Sequence, residues 1–506
     1  MMAADKDHHN STTTTTHEGT TTTSPSATTP DDPHESGSGK PGANVSTSTK
    51  IILFLTYFLL YFAGLGAFLI IIAEPFAMHT YISDNSLLVG VVQKEFSLKT
   101  EADIYADILQ NLTKNEIQTR ADDNNQLQRN SLATLPSVTR FLENELDYFG
   151  LEVHEQHFSY MDNGKQFNGT NVYSIIRGER STNSESIALC VPFIKDSNRD
   201  TLSGVALTLA LTKYFSSKSY WAKDVIILLV DRGEYGLSAW LDSYYDVSFR
   251  QDMKKMSHSN KNGFYYDSLP DRSGPMQAAI VLEVEGKRST RANIKIHGMY
   301  GQLPNLDLYN MAIDLTIREG ITPYFLNKSF TYGLTEYEIY QQHLETAISF
   351  VQTQASMKAD GLHGLFLRYA IQSLTIHIPK HEDKSNTGGH VLFFDLLNVG
   401  RSIEAVFRSL NNLSGRFHRS YYFYIVVALR RFTSIAYYMS AFGLLVAPVL
   451  IKAYILHGWN SGASIFIGWR ASILLAAALV LSVLSTFNIS TALLGSIVLV
   501  PILIMI

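Results

Sequence analysis

Hydrophobic and polar positions divide this chain into blocks of different period. Residues 51–73 are apolar and uncharged (IILFLTYFLLYFAGLGAFLIIIA). At about 1.5 Å of rise per residue they can cross a hydrocarbon core about 30 Å thick, which predicts a transmembrane helix over 50–73. The run is too long for the core of a signal peptide and begins too far into the chain. Lys40 and Lys50 precede it, and no Lys or Arg follows until Lys94. That bias predicts a cytosolic N-terminus and a lumenal or extracellular location for the next segment. Residues 1–49, rich in Thr, Ser and Pro with almost nothing apolar, predict a disordered cytosolic tail.

Over 74–390 strand-like runs alternate with helical ones. Residues 171–176, 187–191, 224–230, 278–284 and 374–378 are rich in Val, Ile and Leu on both faces, the mark of buried strands in a parallel sheet. Helix candidates lie at 139–148, 205–215 and 305–318. This alternation predicts an α/β fold: a water-facing domain with a mixed, largely parallel central sheet and flanking helices. Further on, Leu396, Val399, Ile403, Val406, Leu410, Leu413 and Phe417 recur in steps of three and four. Arg401, Glu404, Arg408 and Asn411 fall on the opposite face. Residues 391–420 therefore predict an amphipathic helix leading to the membrane. Its apolar stripe either packs on its own domain or faces a partner as a stalk.

Residues 421–506 read as a membrane region with about three spans. Residues 421–428 would lie in the interface with their aromatics at headgroup level. The uncharged run 432–451 is a span, and 471–506 is long enough for two around the polar Asn488, Ser490 and Thr491. Arg416, Arg419, Arg430 and Arg431 lie on the side assigned to the lumen, against the usual bias. The cleaner flanks of the first span decide the orientation. The sequence stops inside an apolar run, as a fragment or a shortened gene reading would.

Composition changes this picture little. The chain is 46% hydrophobic and 17% charged, which fits a protein partly in a membrane and partly in water. A net charge of −5 leaves no footprint for nucleic acid. The single cysteine, Cys190, sits in an apolar run, reads as a buried small hydrophobe and excludes an intramolecular disulfide. Sequons at Asn111, Asn168, Asn327 and Asn412 follow the first span, as in a lumenal glycoprotein. A transporter is disfavoured, because too few spans exist and none of the clear ones carries an ionisable residue.

Candidate chemistry centres on a few acids and one histidine. Asp200 precedes Ser203-Gly204 at a helix start. Glu234 follows Gly233, which stands where a general base would. Glu283 ends a strand, and His363 lies in Gly361-Leu362-His363-Gly364. These positions resemble the zinc aminopeptidase family. That family needs His-x-Asp where strand 186–191 runs into Pro192-Phe193-Ile194, and neither Pro192 nor Ile194 offers a side-chain lone pair. The expectation is an aminopeptidase-like pseudoenzyme with no catalytic residues and no metal ligands. The competing reading is an active membrane-tethered metallopeptidase or peptide synthetase, which requires Asp200, Glu234 and His363 to converge on a metal.

A closer resemblance covers Ala63 to Ile451. It is carried by His79-Thr80-Tyr81-Ile82-Ser83-Asp84-Asn85, Tyr220-Trp221-Ala222-Lys223-Asp224, Gly301-Gln302-Leu303-Pro304-Asn305-Leu306-Asp307-Leu308 and His363-Gly364-Leu365-Phe366-Leu367-Arg368-Tyr369. These runs, in this order, resemble the glycosylphosphatidylinositol (GPI) anchor attachment protein family. The resemblance implies a non-catalytic subunit of the GPI transamidase of the endoplasmic reticulum membrane. Its lumenal domain would stand beside a cysteine-protease-like catalytic subunit and other membrane subunits, meeting proprotein substrates indirectly. The family usually carries more C-terminal spans.

The GPI headgroup must sit at the lumenal interface. Two segments are placed there by the sequence: Tyr81 and Ser83 after the first span, and His418, Arg419 and Ser420 before the later ones. Hydroxyls bond glycan or phosphate oxygens, and Arg pairs with phosphate. These five are the expected lipid-binding residues, although the family tends to carry Gln where Arg419 stands. No cofactor is called for, and a divalent ion at the headgroup has no support in the sequence.

Overall fold

The computed structural model describes residues 46–505 except 74–75, 123–135, 163–164, 181–183, 194–200, 247–263, 331–334, 382–392, 414 and 459–464. The tail expected over 1–49 thus lies almost wholly outside the described residues. The first apolar run forms α1 (Thr47–Ile70). Then come β1 (Met78–His79), α2 (Lys99–Asp122), α3 (Pro136–Tyr148) and a long hairpin, β2 (Val153–Asp162) and β3 (Lys165–Ile176). Strand and helix alternate through β4 (Ser186–Pro192), α4 (Leu202–Ser216), β5 (Asp224–Val230), α5 (Glu234–Tyr244), β6 (Phe264–Tyr266) and β7 (Met276–Val284). Next are β8 (Arg288–Ser289), β9 (Ala292–Lys295), α6 (Leu306–Arg318), β10 (Pro323–Tyr324), α7 (Glu336–Ala355), α8 (His363–Arg368) and β11 (Gln372–Ile378). The last elements are β12 (Phe394–Asp395), α9 (Leu396–Asn412), β13 (Tyr424–Ala428), β14 (Arg431–Ser434), α10 (Ile435–Gly458), α11 (Ile465–Phe487) and α12 (Ile489–Met505).

Among the described residues the main sheet has the order β10-β9-β11-β7-β4-β5-β3-β2-β6. Its centre, β11-β7-β4-β5, is parallel. Towards its margins the pairing turns antiparallel, with β9 against β11 on one side and β3, β2 and β6 on the other, while the outermost β10 runs parallel to β9. The central strands are buried from end to end because alternate side chains enter two cores. Ile187, Leu189, Val225, Ile227, Ile280 and Leu282 join the larger one, shared with α4, α6 and α9. Ala188, Cys190, Ile226, Leu228 and Val281 pack with Leu237 and Trp240 of α5 and Phe366 of α8. Burial pushes the Cys190 thiol far above its ordinary range, so it is inert packing.

The segment around 421–428 departs from its expected place in the interface. Tyr424–Ala428 is a buried strand in a second sheet, β1-β14-β13. The β-branched run suits a strand, and its neighbours come from both ends of the domain: Met78 pairs with Phe432, and Val426 with Phe432 on the other side. Two of the troublesome arginines are accounted for here. Arg430 Nη2 lies 2.6 Å from Asp314 Oδ1. Arg431 donates to the Ala77 carbonyl at 3.0 Å and reaches His79 Nε2 at 3.1 Å. They are held by the fold and say little about which side of a membrane they occupy.

α9 is amphipathic as expected, but it is not a stalk. Asp395 caps it, accepting from the Leu397 and Asn398 amides. Both its faces are occupied. Ile403 and Val406 enter the core. On the polar face, Glu404 accepts from the amides of Glu95 and Phe96 at 2.9 Å and from Tyr214 Oη at 2.7 Å. Asn411 Oδ1 accepts from Ala222 N at 2.7 Å and Lys223 N at 3.2 Å. The polar positions therefore read as surface from spacing alone, yet they satisfy backbone groups of loops distant in sequence.

Among the described residues three helices are long and apolar enough to cross a membrane: Thr47–Ile70, Ile435–His457 and Gly468–Phe487. α12 is shorter, so two helices of spanning length plus this one fill the region expected to hold about three spans. α1 lies close against α10, because a Cβ at Gly64 would stand 2.8 Å from Leu445 N. The turn between α11 and α12 is fastened to the domain. Asn488 Nδ2 donates to the Gln354 carbonyl at 2.9 Å, and Gln354 Nε2 donates to the Gly301 carbonyl at 2.8 Å. Gly301 has φ +80°, and Asn488 occupies the space a Cβ would need there.

Candidate functional site

The residues that the sequence sets beside the zinc aminopeptidase pattern lie around the central strands, as far as they are described. Asp200 and Ile194 lie outside the described residues. Pro192 closes β4, and its carbonyl accepts from Thr201 Oγ1 at 2.7 Å. Glu234 opens α5 on the surface, after Gly233 at φ +53°. Glu283, fully buried, is bonded to Lys295 Nζ at 3.1 Å. His363 is also fully buried. Its Nδ1 is 2.8 Å from Thr375 Oγ1, and its Nε2 is 3.4 Å from Asp360 Oδ1. The second Asp360 oxygen faces His297 Nδ1 at 3.3 Å.

Charge at this edge is balanced by the chain itself. Lys295 supplies the ammonium that faces Glu283, and its field reaches Asp360, His363 and His377. Burial opposes ionisation of Asp360, but the hydrogen bond from His297 and the nearby His363 and Lys295 hold its carboxyl below the usual range. Burial pushes His363 and His377 below theirs, so both are neutral imidazoles. A zinc ion would have to share Glu283 with an ammonium and approach His363 through Asp360 or Thr375. The described residues do not fit a zinc centre here. At the opposite edge, ligand atoms of Glu152, His154 and Asp271 lie within 4.8 Å of one another. Arg177 already ion-pairs with Asp271, which makes that group a poor cation site.

The second candidate region forms where the domain meets the apolar helices. The structure brings the two expected segments together around Asp307. Ser83 N donates to Asp307 Oδ1 at 2.9 Å and Asp84 N to Oδ2 at 3.0 Å. Asn310 Nδ2, one helical turn on, donates to the Tyr81 carbonyl at 2.7 Å. The Ser420 hydroxyl lies near the Asp307 carboxylate without reaching good hydrogen-bond geometry. Leu306 N donates to the carbonyl of Tyr421 at 2.9 Å. The rings of Tyr81 and Tyr421 both lie against Phe432, at 6.4 and 5.4 Å between centroids.

Electrostatics bind the same group. Burial raises the Asp307 carboxyl above its ordinary value, although the two amides pull it back. Burial likewise opposes ionisation of Asp84, yet Ser86, Arg419 and His418 hold its carboxyl below the usual range. Tyr81, His418 and Arg419 are exposed, while Ser83 and Ser420 are half-buried. The cluster thus offers two phenol rings, the half-buried Ser83, an imidazole and a guanidinium, with the Ser420 hydroxyl buried beside a floor organised by Asp307 and Asn310. The spacing Asp307/Asn310 puts two polar side chains on one face of the N-terminal half of α6. That was the available signal for these two residues, and the sequence reading passes over it.

The comparisons with known proteins agree with one another in sequence. The family described as "Gaa1-like, GPI transamidase component" matches residues 168–467. The GPI transamidase component gaa1 of Schizosaccharomyces pombe is 32% identical over 62% of this chain and 51% of its own length. GPI transamidase component GAA1 of Saccharomyces cerevisiae is 28% identical over 55% of this chain and 41% of its own. The chain thus spans about half the length, or less, of these curated relatives. Solved structures with likeness include the glutaminyl cyclase of Fimbriiglobus ruber, at 11% identity and TM-score 0.36 over 63% of this chain and 97% of that one. A putative zinc-dependent exopeptidase of Bacteroides vulgatus stands at 13% identity and TM-score 0.33 over 63% and 99%. These two scores are too low to decide a shared fold. The family match covers more than half of the chain, and the chain belongs to the Gaa1-like, GPI transamidase component family.

Proposed function

We propose that this chain is a non-catalytic component of the GPI transamidase complex that binds and orients the GPI lipid and holds the complex together for attachment of anchors to proteins in the endoplasmic reticulum. The observation that carries the reading is the meeting of Tyr81 and Ser83 with His418, Arg419 and Ser420 around Asp307, at the root of α1. A lipid whose headgroup carries phosphates and a glycan needs a cation and several hydroxyls at that depth, and the cluster offers both. None of these groups is an activated nucleophile, and the sole thiol is buried in the sheet. The transamidation cysteine is therefore assigned to a cysteine-protease-like partner, with further membrane subunits around it. Proprotein substrates would meet this chain only indirectly, and no cofactor is required.

The same reading puts the domain in the lumen and the N-terminus in the cytosol. Lys50 at the start of α1, Lys452 late in α10 and Arg470 early in α11 share the end of the bundle away from the domain. The test is purification of the complex from membranes carrying Tyr81→Phe, Ser83→Ala and Arg419→Ala together. Losing one charge-assisted bond, about 1.5–3 kcal/mol, lowers retention about tenfold or more. Co-purified GPI should fall by that much with the complex still assembled. Unchanged GPI retention would remove the headgroup site.

A further inference from the structure

A crevice of about 360 Å³ opens between α1, α7, α12 and the β13–β14 hairpin. Leu65, Phe68 and Ile72 of the first apolar run form one wall, Leu493 and Ile497 of α12 another, and Ile425, Val427 and Thr433 the floor. The remaining wall is α7, whose Leu344, Ala347, Ile348 and Val351 make one apolar stripe. α7 is no span. Tyr340 Oη donates to the Leu69 carbonyl at 3.0 Å, which sets α7 beside the domain-side end of α1. Tyr337 and Ile348 are exposed on it, the mixture of aromatic and aliphatic side chains that suits a helix lying at the boundary between headgroups and hydrocarbon.

What fills the crevice follows from its walls. Leu69, Ile348, Leu494 and Ile497 are all more than a third exposed, and three of these belong to the helices that face bilayer hydrocarbon. The medium at this mouth is acyl chain. Within, the Thr433 hydroxyl is engaged by the Ile71 carbonyl at 3.1 Å, so water would find almost nothing to bond. The volume falls within the range of about 300–1,000 Å³ typical of ligand pockets. Gln352, exposed at the rim, offers an amide of the kind that an ester carbonyl accepts.

We propose that this crevice holds one acyl chain of an ordinary bilayer glycerophospholipid, as a resident lipid separate from the GPI headgroup cluster. The separation rests on the strand. Phe432 points toward Tyr81 and Tyr421, whereas its neighbour Thr433 lines the crevice, and successive strand residues face opposite sides. The two regions lie on opposite faces of the small sheet. The proposal needs α1 and α12 in a bilayer and is independent of what the Tyr81 cluster binds.

The experiment uses the full chain in its complex, reconstituted in phosphatidylcholine vesicles containing a phosphatidylcholine with a photoactivatable group in one acyl chain. Labelling of peptides covering 65–72, 344–352 and 493–497 should exceed that of the exposed-span residues Leu59 and Val480 by about tenfold, the enrichment that separates bound from bulk lipid by roughly 1.4 kcal/mol. Ala347→Phe and, separately, Val351→Phe should abolish the excess while the complex stays assembled. Two variants guard against one that fails to fold. Uniform labelling of all apolar helices would overturn the proposal. So would displacement of the label by GPI alone, or crosslinks from these peptides to a polypeptide. A loss of GPI retention in the Tyr81, Ser83 and Arg419 variant, with crevice labelling unchanged, would separate the two sites.

Discussion

Asp307 accepts two consecutive backbone amides and so fixes the course of the chain through Ser83 and Asp84. An amide side chain offers one acceptor in place of two and turns a donor toward a donor. Asp307→Asn should therefore cost about 1–3 kcal/mol and speed hydrogen exchange at the Ser83 and Asp84 amides, leaving exchange in the central strands unchanged. A second expectation concerns pH. His363 and His377 are buried neutral with pKa values held below the ordinary value, so the unfolded chain binds protons more readily than the folded one. Their contribution is complete above the unfolded pKa of about 6.5 and is lost as pH falls through the lower folded values. Denaturant midpoints should decline from about pH 7 to 5, and His363→Asn should flatten that slope even if it lowers the midpoint at neutral pH. At this scale the sequence points to His363 and Glu283 but not to Lys295, which reaches Glu283 from β9, across β11 and twelve residues on. It likewise marks Tyr81 and Ser83 without Asp307, whose only signal is the helical spacing it shares with Asn310.

The strands and helices differ in how far they can be read from sequence, for a physical reason. The central strands are buried on both faces, so their runs of Val, Ile and Leu are unbroken and flag themselves. α7 dilutes a narrow apolar stripe with Gln, Tyr and Thr and goes unassigned from sequence. Tyr424–Ala428 carries the same residue types as an interfacial segment, and only its pairing with β14, and through it with β1, decides the matter. Helix packing yields a further test. Because a Cβ at Gly64 would meet Leu445 N at 2.8 Å and its Cγ at 2.9 Å, Gly64→Val must push α1 off α10. Cysteine crosslinks placed between the two helices should weaken, and the unfolding free energy in detergent should fall by about 1–3 kcal/mol from overpacking strain.

At the scale of the whole molecule, the boundary drawn at residue 390 from composition does not coincide with where the domain ends. The described hydrogen bonds cross it repeatedly. Glu404 holds residues 95 and 96, Asn411 holds 222 and 223, and β14 completes β1. A chain ending at 390 leaves Leu396, Ile403 and Val406 out of the core and several buried amides without acceptors. It should aggregate or resist only low denaturant. A chain ending at Ser434, with α1 removed, should retain cooperative unfolding by tryptophan fluorescence. Equal behaviour of the two would mean that α9 contributes little.

The three-stranded β1-β14-β13 sheet has one more consequence. It ties the exit of α1 to the start of α10 through strands drawn from opposite ends of the chain, so both leave the domain from a single rigid knot. A bend at that junction has to break the Met78–Phe432 and His79–Arg431 pairs, so tilting of the domain and tilting of the helices are coupled through the small sheet.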